Sequence, residues 1–174
     1  MRWFWIDRFT EFVSGKRAAS VKNVSLAEEH LHGYLPGYPF HPPSLVLEGL
    51  AQTGGLLLAE QSNFQERLVL AKVSRFVTHF VARPGDTLRY VAELESVGPE
   101  GARVVAQSFV GDDVQSDAEL FIAVLPQGEH AQKLFEPHEF AQLLRVLRVY
   151  DVAVDENGDR LQMPEAFREA VHAE

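Results

Sequence analysis

Glu48 is the side chain in this sequence best placed for chemistry. It stands in Leu45-Val46-Leu47-Glu48-Gly49-Leu50-Ala51-Gln52, a run that is otherwise apolar up to Gln52. A carboxylate in such a setting is paired, hydrogen-bonded or functional. Burial favours the protonated form of a carboxyl group and a helix N-terminus favours the ionised form. That balance suits a general acid or base. Gln52, four residues on, shares a helical face with it. The structural alternative is a glutamate tied to an arginine, and the sequence leaves both readings open. His30, His32 and His41 flank a proline-rich stretch within reach of the same helix start. Their spacing does not match a closed zinc site and no cysteine assists, so no metal is expected. His79, His130, His138 and His172 stand isolated.

The elements that must position these groups follow from pattern. Residues 16–24 alternate loosely and read as a strand. Ser25-Leu26-Ala27-Glu28-Glu29 offers a serine cap with acid in the first turn, the start of a short helix. Residues 33–43 hold four prolines and two glycines, which leaves no room for a ladder or a helix. Ser44 to about Ser62 reads as a helix apolar nearly all round and therefore deeply buried. Its Gly49, Gly54 and Gly55 suggest close approach by another backbone. From Leu68 the period changes to two. Strands are expected over 68–80, 87–97, 103–110 and 114–125, with turns at Pro84-Gly85-Asp86, Gly98-Pro99-Glu100-Gly101 and Gly111-Asp112-Asp113. The order predicts α+β: one antiparallel sheet and one long helix. Phe76, Phe80 and Leu45 are candidates for a binding wall, with a core role as the plainer alternative.

Composition narrows the function classes. The 174 residues are 46% hydrophobic, 10% aromatic and free of cysteine, with a formal charge of −9. No disulfide scaffold, cysteine nucleophile or thiolate metal site is open to such a chain. The acidic balance argues against coating nucleic acid, which needs clustered Lys and Arg. No segment is long and apolar enough to span a membrane, and the N-terminus meets charge too early for a signal peptide, so a cytoplasmic location is expected. After Pro126 the chain carries five basic and ten acidic side chains, and so −5 of the −9. Pro137–Tyr150 reads as an amphipathic helix and Met163–His172 as a shorter one.

One block carries a resemblance. Gly33-Tyr34-Leu35-Pro36-Gly37-Tyr38-Pro39-Phe40-His41-Pro42-Pro43-Ser44-Leu45-Val46-Leu47-Glu48-Gly49-Leu50-Ala51-Gln52 is similar to the active-site segment of 3-hydroxyacyl-acyl carrier protein dehydratases of the FabZ and FabA type. Asp7-Arg8, Val21-Lys22-Asn23-Val24-Ser25 and Arg83-Pro84-Gly85-Asp86 match flanking family signals in order. The resemblance covers about residues 3–125. It implies a hot-dog fold over residues 1–125, with the antiparallel sheet wrapped round the central helix, and leaves 126–174 as an acidic, helical C-terminal extension. It also implies a homodimer that often assembles further, with an acyl tunnel at its interface. The implied substrate is a thioester carried on acyl carrier protein or coenzyme A, and no cofactor is expected.

This chain departs from the family at three points, one of them Leu35 in the place of an aromatic residue. Tyr34 stands in the place of the catalytic histidine, and a phenol is a poor base at neutral pH. Pro43 stands where a glycine amide polarises the thioester carbonyl, and proline has no N–H. Glu48 and Gln52 remain. The expected roles are Glu48 as acid/base, Tyr34 as a polar group in the histidine's place and His41 as a substitute base, with His32 the other candidate for a displaced base. Ser44, Gln52, Gly37 and Phe76 are assigned to substrate binding. Dehydration of a 3-hydroxyacyl thioester is the main expectation. Thioester hydrolysis through Glu48, and non-catalytic binding of acyl thioesters or of an active partner subunit, are the alternatives.

Overall fold

The structure is a computed structural model that describes residues 4–33, 37–126 and 136–172. The strands are β1 (Arg8–Val13), β2 (Arg17–Asn23), β3 (Arg67–Thr78), β4 (Thr87–Gly98), β5 (Gly101–Val110), β6 (Asp113–Leu125) and β7 (Ala153–Val154). The helices are α1 (His30–Gly33), α2 (Pro43–Glu60), α3 (Pro137–Val146), α4 (Val149–Val152) and α5 (Glu165–His172). All seven strands form one sheet in the order β3-β6-β5-β4-β2-β1-β7. Every pairing between the first six is antiparallel, and β7 runs parallel to β1. This is the α+β hot-dog architecture expected from the sequence.

Helix α2 packs against β2, β3, β4, β5 and β6. Five adjacent strands span roughly 19 Å at about 4.8 Å apiece, wider than a helix of about 10 Å, so they reach it together only by curving round it. Val46, Leu50, Leu57 and Leu58 of α2 are buried against Leu88, Ala92, Val104, Ala106, Leu120 and Ile122 of the strands. Two glycines set the depth of the helix. A Cβ on Gly49 would stand 2.5 Å from the ring of Tyr90, and one on Gly54 would stand 2.9 Å from Val104. Gly55 is different, because its Cβ would meet only Ile122, at 4.0 Å.

The structure departs from the sequence expectations in three places. β1 was not foreseen, because a register shift between Phe9 and Glu11 breaks its alternation. The helix expected over Pro137–Tyr150 stops at Val146: Arg148 adopts the left-handed conformation (φ 57°), and the chain resumes as the separate turn α4. The segment after Pro126 also contributes β7 and part of the core. Phe140, Leu144, Leu147, Val149 and Phe167 are buried in the same cluster as α2, with the rings of Phe64 and Phe140 5.1 Å apart.

The two glycine environments predict opposite outcomes. Gly49→Ala forces the Tyr90 ring to move, so a net loss of about 1–2 kcal/mol is expected despite the better helix propensity of alanine. Gly55→Ala meets ordinary van der Waals space and should gain up to about 1 kcal/mol. Thermal denaturation of the two variants beside the parent checks both signs.

Candidate active site

The exposed first turns of α2 carry the polar groups. Pro42 precedes the helix in an extended conformation (φ −58°, ψ 136°), and Pro43 occupies its first turn. Proline is at home there because its missing N–H would have had no partner within the helix. Its carbonyl neighbour Pro42 accepts from the N–H groups of Leu45 at 2.9 Å and Val46 at 3.2 Å. Ser44, exposed, therefore supplies the first main-chain N–H of the helix.

Glu48 is exposed on the single chain, one turn further on. The Nε2 group of Gln52 donates to its Oε1 at 3.0 Å. The Oε1 of Gln52 in turn accepts the main-chain N–H of Trp5 at 2.8 Å. Gln52 is thus fixed by the N-terminal segment and fixes Glu48 from the other end. The arginine tie weighed for Glu48 does not occur among the described residues, whose ion pairs omit it.

His41 is linked to this pair through Trp5. It is only 1% exposed, and neither ring nitrogen has a hydrogen-bond partner among the described residues. Its main-chain N–H donates to Ala82 O at 2.8 Å. Its ring packs edge-on against Trp5 (5.9 Å) and His30 (5.3 Å), and Trp5 and His30 also meet edge-on at 5.1 Å. Burial, aided by the positive charges near it, pushes the His41 pKa down to about 4, so the ring is neutral at pH 7. Burial lowers that of His30 as well.

Three flanking segments build the floor beneath these rings. Lys22, 8% exposed, lies 3.1 Å from Glu28 and 3.7 Å from Asp7. Asp7 Oδ2 accepts from the main-chain and side-chain amides of Asn23 at 2.8 and 3.0 Å. Glu28 Oε1 accepts the Ser25 N–H at 2.8 Å, closing a turn and not the helix start expected at Ser25, since α1 begins only at His30. Burial opposes ionisation of Glu28, but that amide and Lys22 together hold its carboxyl below the usual range. The turn Arg83–Asp86 pairs with Val24 through Val24 N to Asp86 O and Gly85 N to Val24 O, both 2.9 Å. Above it, Arg83 donates to the Tyr38 hydroxyl and stacks 4.7 Å from the ring centre.

Of the expected site residues, the structure brings Glu48 and Gln52 together, while His41 packs against Trp5 and His30. Gly37 is exposed with φ 84° and open space where a Cβ would stand. Phe76 is half-buried near the end of β3 and packs on the core, and Phe80 lies exposed beyond that strand. Tyr34 lies outside the described residues, as does the side chain of His32. Sequence reasoning missed three members of the site. Trp5, Glu28 and Lys22 stand in segments with no shared spacing signal, and only the folding of β2 against α2 and the Trp5–Gln52 hydrogen bond bring them together.

Fold and site together define a hot-dog protein with a carboxylate on the central helix. The FabA-like domain matches residues 3–116, and the chain belongs to that family. The 3-hydroxyacyl-acyl-carrier-protein dehydratase FabZ of Desulforamulus reducens is 34% identical over 122 residues, covering 68% of this chain and 84% of that protein. The FabZ of Chloroflexus aggregans is 38% identical over 120 residues, covering 68% and 83%. Among solved structures, smu.793 of Streptococcus mutans, bound to acetyl CoA, superposes with a TM-score of 0.59 at 16% identity, covering 74% of this chain and 96% of that one. No helix among the described residues is long and apolar enough to cross a membrane.

The Gln52 bridge predicts a split effect. Gln52→Leu removes the hydrogen bonds to Glu48 and from the Trp5 N–H, at a cost of about 1–2 kcal/mol. Gln52→Glu keeps an acceptor for Trp5 but sets two carboxylates side by side. Chemical denaturation at pH 7 should therefore rank the parent above Gln52→Glu.

Proposed function

We propose that this chain binds 3-hydroxyacyl thioesters, carried on acyl carrier protein or coenzyme A, and interconverts them with the enoyl thioester and water. The observation that supports this reading is the held pair at the start of α2: a carboxylate steered by Gln52, itself anchored on the Trp5 amide. The FabZ relatives carry the name of this reaction.

The elimination breaks the C2–H and C3–O bonds, forms the C2=C3 double bond and releases water. One group must accept the C2 proton and another must donate to the departing hydroxyl. Glu48 is the base in this reading. Its ionised form takes the C2 proton, and the neutral phenol of Tyr34 donates to the hydroxyl. His41 is buried with its ring packed against Trp5, whereas Glu48 is exposed, so the transfer is assigned to Glu48 rather than to it. The Ser44 N–H, at the positive end of an 18-residue helix, serves the thioester carbonyl in place of the amide that Pro43 lacks. A homodimer completes the site. Its joining surface is β3, an edge strand hydrogen-bonded on one side only within the chain, whose Val69, Leu70 and Val73 are each 39% exposed.

Two measurements test this reading. The parent should turn 3-hydroxyacyl carrier protein into enoyl product slowly, because loss of an optimised base typically costs about 10²–10⁴-fold. Tyr34→His should raise the rate by about 10²-fold or more, and Glu48→Gln should abolish it. Absence of turnover in both the parent and Tyr34→His would overturn the reading, and release of free thiol without enoyl product would mark hydrolysis instead. For the assembly, light scattering should give twice the chain mass for the parent and the single mass for Val73→Asp.

A further inference from the structure

The polar cluster beneath Trp5 is not used by the proposed chemistry and goes beyond it. Glu28, His30 and His41 each offer a ligand atom, and these atoms all lie within 4.8 Å of one another. We propose that these three residues form a binding site for a divalent transition-metal ion of the zinc type.

Three observations carry this. First, both nitrogens of His41 and the Nε2 of His30 are buried without a hydrogen-bond partner among the described residues. Buried polar atoms are ordinarily satisfied, so three orphans in two touching rings mark a place where something binds. Second, the rings are already spaced for a shared ion. With metal–nitrogen bonds of about 2.1 Å and tetrahedral angles, two ligating imidazoles hold their ring centres roughly 5 Å apart. The His30 and His41 centres are 5.3 Å apart, with the rings inclined at 73°. Third, the carboxylate is divided in its duties. Glu28 Oε1 is held by Lys22 and the Ser25 amide, while Oε2 faces His30 Nδ1 at 3.7 Å. Hydrogen bonds of this kind orient ligating carboxylates in metal sites.

The Lys22 ammonium opposes a second cation. It is compensated by Asp7 and Glu28, so the charged groups of the cluster sum to −1 before an ion enters. Two imidazoles and one carboxylate are a borderline donor set suited to zinc, with the fourth position left for water. The sequence expectation of no metal rested on histidine spacing, and the fold supplies the acid that the spacing lacked. His30 precedes residues 34–40 and His41 follows them, so one ion would pin the two ends of the proline-rich loop together.

The full chain, stripped with EDTA, is titrated with zinc chloride by calorimetry and with cobalt chloride by visible absorption. The expected result is one ion per chain with Kd below about 10 μM, and the intense d–d bands of four-coordinate cobalt. Glu28→Gln and the double variant His30→Asn/His41→Asn should each weaken binding at least tenfold and lose the zinc-induced rise in Tm, with far-UV circular dichroism confirming that they fold. No heat and no cobalt bands in the parent would overturn the proposal and leave ordered water as the occupant. Binding unchanged in the double variant would overturn it too, placing the ion on other histidines. Neither readout depends on dehydratase turnover, so failure here and failure of the proposed reaction are distinguishable.

Discussion

Burying an apolar helix of eighteen residues inside the curve of one sheet is the constraint on which the rest of the molecule depends. Such burial requires small residues where the helix backbone meets the strands. Gly49 supplies this against Tyr90 and Gly54 against Val104. It also dictates where polar groups can go. The middle of α2 is sealed by Leu50, Leu57 and Leu58, so its chemistry is confined to the exposed face of the first turns, where Ser44 and Glu48 emerge. The Tyr90 hydroxyl shows how strict the packing is. It is buried without a partner among the described residues, and burial pushes its ionisation far upward, so it serves as bulk rather than as an acid.

The helix start is held by an unusual chain of supports. The Trp5 main chain grips Gln52, and Gln52 grips Glu48. The ring of the same Trp5 rests against His30 and His41. One residue near the N-terminus therefore touches both the carboxylate end of the site and the imidazole pair. Lys22 and Asp7 extend the support to β2 and the segment before β1, and the Arg83–Asp86 turn closes it through Val24. The short family signals scattered along the sequence are thus one contiguous foundation in space.

Much of this was legible in the sequence. The change from period 3.6 to period two after Glu60 marked α2 and the four long strands to within a few residues, because burial on one face writes itself directly into residue alternation. The failures have physical causes. β1 hides because a bulge between Phe9 and Glu11 puts Phe9 and Phe12, three apart, on the same buried side. The break in the C-terminal helix has no glycine to announce it, since Arg148 itself takes the left-handed conformation. β7 is two residues long and owes its existence to β1. In the site, Glu48 and Gln52 were visible from their i, i+4 spacing within an apolar run. Glu28 was read only as a helix-start acid; its second role, facing Lys22 and His30, is a product of tertiary structure.

The C-terminal segment also changes what the sheet can do. β7 runs beside β1 and is itself bridged to Arg160, so that border of the sheet is finished by the chain's own backbone. β3 is the other border and lies open. A sheet with two open borders can add copies without end, as fibres do. A sheet with one open border can be extended once, border to border, and two copies joined in that way have none left. The acidic tail, by laying down two residues of strand, thereby leaves the sheet one open border for pairing where it would otherwise have two.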